Sequence, residues 1–184
     1  MFNLLFGAII ALSSQAAIQS TVVNYKYGEK QFEGYVAFPK GASKKLPAVL
    51  VVHDWLGVTE KTKTKVDQLA ELGYLAFAAD IYGQGVRPKD PGEAGKLAGS
   101  FKNNRTLYRE HLHFALQEML KNPLAAPEKT AVIGFCFGGT GAIELARSGA
   151  NIKAAVSFHG GLDSPSPQDG KNIKAKVLAL HGAD

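Results

Sequence analysis

The sequence predicts a three-layer α/β fold: a mostly parallel central sheet with helices on both faces and an antiparallel hairpin at its amino-terminal side. Three observations carry this expectation. Short apolar runs without alternation recur along the chain, as in strands buried on both faces. Segments with apolar residues at helical spacing separate them. Two partly alternating runs around a glycine precede them all. At 184 residues, 46% hydrophobic and 20% charged, the chain suits one globular domain with a sizeable core.

The elements follow in order. Residues 4–12 form an uncharged apolar core of signal-peptide length, too short to span a bilayer, and Ser14-Gln15-Ala16 places small residues where a signal peptidase reads. Residues 1–16 are therefore expected to be an export leader cleaved after Ala16. The mature domain at 17–184 would then be periplasmic or secreted, with no membrane association after cleavage. No Lys or Arg precedes the apolar core, and the alternative is a buried amino-terminal helix. Residues 20–27 and 31–38 flank Gly28-Glu29-Lys30 as a hairpin. Residues 47–53 are a buried strand. Residues 60–72, with Val66, Leu69, Ala70 and Leu72 at helical spacing, form a helix stopped by Gly73. Residues 74–79 are the next buried strand, followed by a glycine-rich loop from Asp80 to Pro88, where α/β sheets place ligand contacts. Helices are expected at 91–102 and 105–121, then a strand, a tight turn and a helix across 130–147. A strand at 153–158, a polar loop at 160–172 and a strand at 176–180 complete the chain.

The formal charge of +5 raises the question of an anionic partner, but the basic residues are scattered. Lys44-Lys45, Lys61 with Lys63 and Lys65, and Lys171 with Lys174 and Lys176 read as solvated surface. No basic run is interleaved with aromatic stacking residues, so no nucleic-acid partner is expected.

The chemistry centres on Gly134-x-Cys136-x-Gly138. Strand-like spacing ends there and helical spacing starts at once, with flanking glycines that let the backbone turn sharply around a lifted side chain. Cys136 is the only cysteine, so it has no internal disulfide to make. It reads as a nucleophile, the alternative being a small buried hydrophobe. Other glycine-rich readings fail on specifics. A P-loop needs Lys then Ser/Thr after its second glycine, and a dinucleotide fingerprint counted from Gly134 needs glycine at position 136. For such a nucleophile, an oxyanion hole is expected from the N–H of Phe137 and from the loop at residues 53–57.

Four motifs in order, His53-Asp54-Trp55-x-Gly57, Ala79-Asp80-Ile81-Tyr82-Gly83, Gly134-Phe135-Cys136-Phe137-Gly138-Gly139 and His181-Gly182-Ala183-Asp184, together resemble the dienelactone hydrolase family of α/β-hydrolases. The resemblance implies hydrolysis of carboxylic esters or lactones by Cys136. It implies oxyanion donors at the backbone of Trp55 and Phe137, and an acid, Asp54, in contact with the resting thiol. A substrate loop would carry Tyr82, Gln84 and Arg87, with Gln84 standing where the best-known members have a carboxylate-binding arginine. Asp54 would help keep the thiol protonated until substrate arrives. The triad acid would be Asp184 or the residue after it, and the triad histidine would follow later. The last strand and helix of the fold are accordingly expected beyond the chain end, leaving an open sheet edge and a fragment with little turnover alone. His53, His159 and His181 read as structural or loop hydrogen-bonders, and His111 and His113 are too poorly aligned on their helix to form a metal pair. The chain is thus expected to be a monomeric hydrolase of small esters or lactones without metal or organic cofactor. The alternative is a non-catalytic small-molecule-binding protein on the same fold. A thiol redox role would need a second cysteine.

Overall fold

A computed structural model describes residues 17–182. The apolar stretch at 4–12 with its cleavage site after Ala16, and Asp184 at the other end, lie outside the described residues. The chain opens with the expected hairpin. β1 (Ile18–Tyr27) and β2 (Lys30–Pro39) pair antiparallel from Ile18 opposite Pro39 to Tyr27 opposite Lys30. Gly28 makes the two-residue turn at φ 53°, a conformation that costs glycine little.

β3 (Leu46–Val52), β4 (Leu75–Ala79), β5 (Ala125–Phe135), β6 (Ala154–Phe158) and β7 (Lys176–Leu180) continue the sheet in the order β1-β2-β4-β3-β5-β6-β7. β2 meets β4 antiparallel, and every later pairing is parallel. The crossover between β3 and β4 is α1 (Glu60–Glu71), which buries Val66 and Ala70 against Val49, Val51, Ala76 and Ala78 on one face of the sheet. α2 (Pro91–Asn103), α3 (Arg105–Leu120) and α4 (Phe137–Arg147) cover the other face, over Leu50, Val52, Phe77 and Val132. Both faces of β3 and β4 are therefore dry, which is why their sequences are continuously apolar. Asp90 caps α2 by accepting the N–H of Glu93, and Asn104 both ends α2 and caps α3 by accepting the N–H of Leu107.

Two segments depart from the sequence reading. β5 begins at Ala125, because Ala125 and Ala126 pair with Leu46 and Pro47 before the register shifts and Thr130 resumes opposite Ala48. The intervening Pro127-Glu128-Lys129 bulges out, and its polarity hid the strand's start. The loop after β6 contains a 3-10 helix at Pro167–Asn172. It is held by charge: Glu144 of α4, with no exposed surface, takes Arg109 at 2.8 Å and Arg147 at 2.8 Å, while Arg109 also grips Asp169 at 2.7 Å and Arg105 grips Asp163 at 2.9 Å. Glu144 is thus a buried carboxylate neutralised by α3 and by its own helix.

β7 is one edge of the sheet, and Val177, Leu178 and Leu180 on it are exposed. β5, β6 and β7 all point their carboxyl ends toward one rim, and the chemistry-bearing loops gather there.

Candidate active site

One residue turns β5 into α4. Cys136 sits at φ 55°, ψ −114°, a region that L-residues rarely occupy, with its side chain exposed. Its backbone is pinned on both sides: its N–H donates to the Phe158 carbonyl at 2.9 Å, and its carbonyl accepts the Thr140 N–H at 3.2 Å. The flanking glycines are demanded by packing. A Cβ on Gly134 would strike the Gly138 backbone, and one on Gly138 would strike the carbonyls of Val52 and His53. Gly139 and Gly160 press together in the same way, so the first turn of α4 lies directly on the ends of β3 and β6. At that turn the first N–H groups have no intrahelical acceptor, and the N–H of Phe137 is the first of them.

The facing wall is the loop after β3, and its peptide planes are fixed one by one. His53, buried and packed between Tyr82 and Phe137, donates Nδ1–H to the Asp54 carbonyl at 2.6 Å and accepts the Ile81 N–H on Nε2 at 3.2 Å. Both ring nitrogens are used, and burial holds the imidazole's pKa below its ordinary value, so His53 is neutral. In a trans peptide the carbonyl and the next N–H point opposite ways, so fixing the Asp54 carbonyl fixes the direction of the Trp55 N–H. The following plane is held at both ends. The Tyr82 hydroxyl donates to the Trp55 carbonyl at 3.1 Å, and the Leu56 N–H donates to Asp54 Oδ1 at 2.9 Å. Burial, with Asp54 and Cys136 adding to it, raises the Tyr82 hydroxyl pKa, so it stays a donor. The Asp80 carboxylate ties this layer to the hairpin, accepting the N–H groups of Tyr82, Gly83 and Glu33.

Between the two walls lies a cavity of about 390 Å³ bordered by Cys136, Asp54, Trp55, Lys61, Lys65 and His159. The structure thus brings together Cys136, Asp54 and Trp55, places Phe137 at the helix start beside them, and sets Tyr82 beneath the loop. It does not bring Gln84 or Arg87 to that cavity. The Gln84 amide donates to Asn24 on β1 at 3.3 Å. Arg87 donates to the carbonyls of Val58 at 2.8 Å and Val86 at 2.7 Å, bracing the 53–57 loop from outside.

The histidines separate clearly. His111 donates to the Ile81 carbonyl at 2.7 Å, His113 pairs with the Ser148 hydroxyl at 2.8 Å, and His181 donates to the Gly160 carbonyl at 2.7 Å. His159 is different: its backbone sits at φ 44° with its N–H on the Leu180 carbonyl, and its side chain borders the Cys136 cavity. Two lysines also border the cavity. Lys61 and Lys65 read as solvated surface, whereas their four-residue spacing puts both on the flank of α1 that faces the cavity.

The family model of the dienelactone hydrolase family matches residues 32–184. The chain is 32% identical over 164 residues to "Protein usf" of Aquifex pyrophilus, covering 86% of this chain and 69% of that protein. A protein of Aquifex aeolicus, provisionally named a carboxymethylenebutenolidase, matches with the same identity and the same shares. Among solved structures, a dienelactone hydrolase-like promiscuous phosphotriesterase from metagenomic libraries superposes with a TM-score of 0.86 at 34% identity, over 91% of this chain and 70% of that one.

Proposed function

The chain belongs to the dienelactone hydrolase family, and from that premise we propose that it hydrolyses carboxylic esters or lactones by acyl transfer to Cys136. The Cys136 sulfur attacks the substrate carbonyl, an S–C bond forms, and the carbonyl electron pair moves onto oxygen. That oxyanion sits between the N–H of Phe137, at the positive end of α4, and the N–H of Trp55, whose direction His53 and Tyr82 set through the loop. Collapse of the tetrahedral species breaks the C–O bond, the leaving alkoxide takes the proton that the thiol gave up to the histidine base, and water later cleaves the thioester. The histidine base and the acid follow β7 in the family's pattern, with Asp184 or its neighbour as the acid. Asp54 restrains the free thiol by disfavouring the thiolate.

The single observation that carries this reading is the strained, backbone-pinned Cys136 set across a cavity from a loop whose peptides are held in place. A cysteine serving only as a packing residue gains nothing from φ 55°. The test is single-turnover acylation with 4-nitrophenyl acetate. One acetyl group per chain is expected on Cys136, found by intact mass and peptide mapping and absent from Cys136→Ala. A chain that carries the histidine base after β7 and still releases no nitrophenolate above the Cys136→Ala background would instead support a non-catalytic binding protein on this fold.

A further inference from the structure

The acyl-transfer chemistry above uses the backbone of Phe137 and leaves its side chain unexplained. That ring is buried where three elements meet. It stacks on the Tyr108 ring of α3 with centroids 4.6 Å apart and planes 12° apart. It also stacks on the His53 imidazole, at 5.6 Å and 19°. Three near-parallel rings therefore run from α3 through the start of α4 to the loop after β3, with Phe101 edge-on to Phe137 at 6.2 Å. The Tyr108 end is anchored. Its hydroxyl donates to the Phe137 carbonyl at 2.8 Å, and burial raises its pKa, so it stays a donor. Gly141, a glycine outside the Gly134-x-Cys136-x-Gly138 elbow, admits that hydroxyl, since a Cβ there would lie 2.5 Å from the Tyr108 oxygen. Both oxyanion donors belong to this column. The Phe137 N–H shares a peptide with the Cys136 carbonyl, which the Thr140 N–H holds at 3.2 Å. The Trp55 N–H shares one with the Asp54 carbonyl, which His53 holds at 2.6 Å. Those bonds aim the two donors but do not fix the distance between them. The Phe137 ring does, because it belongs to the residue that gives one donor and stacks on the residue that aims the other.

We propose that the column of Tyr108, Phe137 and His53 is the spacer of the oxyanion hole, with Tyr108 and the Phe137 ring as positioning residues for attack on a carbonyl. The proposal rests on Cys136 as the nucleophile and on the N–H groups of Phe137 and Trp55 as donors, and it adds what sets their separation. Stacked rings resist both approach and parting, since closer contact is repulsive and a gap forfeits dispersion. A smaller side chain at position 137 keeps the N–H but frees the loop after β3 to shift against α4. Tyr108→Phe keeps the ring and releases the Phe137 carbonyl from the hydroxyl that holds it.

Two reactions of Cys136 separate positioning from stability. A trifluoromethyl ketone forms a hemithioketal whose oxyanion needs both donors, whereas alkylation by iodoacetamide forms no oxyanion. Phe137→Leu should weaken the ketone adduct, read by fluorine NMR, by about tenfold, less than the roughly 10²-fold or more that follows outright loss of a donor. Tyr108→Phe should weaken it by about threefold, and iodoacetamide should label Cys136 in both variants within about twofold of the parent rate. Leu112→Ala, a buried truncation one turn further along α3 and outside the column, should lower Tm and leave the adduct unchanged. An adduct weakened by less than about twofold in either column variant overturns the spacer alone, as does a loss that iodoacetamide labelling or Leu112→Ala reproduces. If Phe137→Leu does not fold, Tyr108→Phe decides the matter. A parent chain that forms no adduct overturns the oxyanion hole itself, and the spacer with it.

Discussion

Replacing Gly138 by alanine tests whether the elbow is held by backbone contact with β3. The added Cβ would lie 2.5 Å from the His53 carbonyl oxygen and closer still to that of Val52, where ordinary contact begins at 3.4 Å. Both obstacles are backbone atoms of a central strand end, so no rotamer relieves them, and the first turn of α4 must retreat by more than about 0.9 Å. Overpacking of this kind costs about 1–3 kcal/mol. For a chain of this size each kcal/mol lowers Tm by about 2–4 °C, so a fall of about 2–12 °C is expected. The same retreat carries the Phe137 N–H away from the Trp55 N–H, and a misplacement near 1 Å costs on the order of 10²-fold in rate. Differential scanning fluorimetry and the acylation rate of Cys136 by 4-nitrophenyl acetate report the two effects. An alanine variant that melts within about 1 °C of the parent and acylates at the parent rate would refute this account of the elbow.

Three further outcomes are expected. Cys136→Gly removes the penalty of a non-glycine residue at φ 55° and should raise Tm by about 2 °C or more while abolishing thiol labelling; a fall would mean that the cysteine is there for packing. Asp54→Asn keeps an acceptor for the Leu56 N–H but removes the charge beside the thiol, so alkylation of Cys136 by iodoacetamide should quicken, and an unchanged rate would remove Asp54 as a restraint on the thiol. Acid should destabilise the fold between pH 7 and pH 5. His53 is kept neutral by burial, with a folded-state pKa below its unfolded value of about 6.5, so the unfolded chain gains a proton that the folded one refuses, and stability falls by up to about 1.4 kcal/mol per pH unit below that value. Burial depresses His111 and His113 in the same direction, and a Tm that stays flat or rises across this range would contradict the sign.

Much of this was legible in the chain because the signals are local. The change from strand to helical spacing at Cys136 marks the elbow, and the glycines at 134 and 138 are forced by contacts that any such turn makes. The helix stop at Gly73 and the hairpin turn at Gly28 likewise depend on one residue's φ. What stayed hidden depends on partners far along the chain. Ala125 and Ala126 become strand only by pairing with Leu46 and Pro47. The 3-10 helix at Pro167–Asn172 is held by Arg109, 60 residues earlier in number, through Asp169. Lys61 and Lys65 belong to the cavity because α1 packs beside β5, which no spacing within α1 reveals. His53 reads as structural from sequence, and the structure gives that reading content: a doubly bonded neutral imidazole that aims the Trp55 peptide.

The central claim is that Cys136 attacks a carbonyl whose oxygen is received by backbone N–H groups, and a trifluoromethyl ketone tests both halves at once. Fluorine NMR should show a tetrahedral hemithioketal on Cys136, lost in Cys136→Ala and weakened in Gly138→Ala, where the donors are displaced. No adduct, or one of equal strength in the Gly138→Ala variant, would contradict the account.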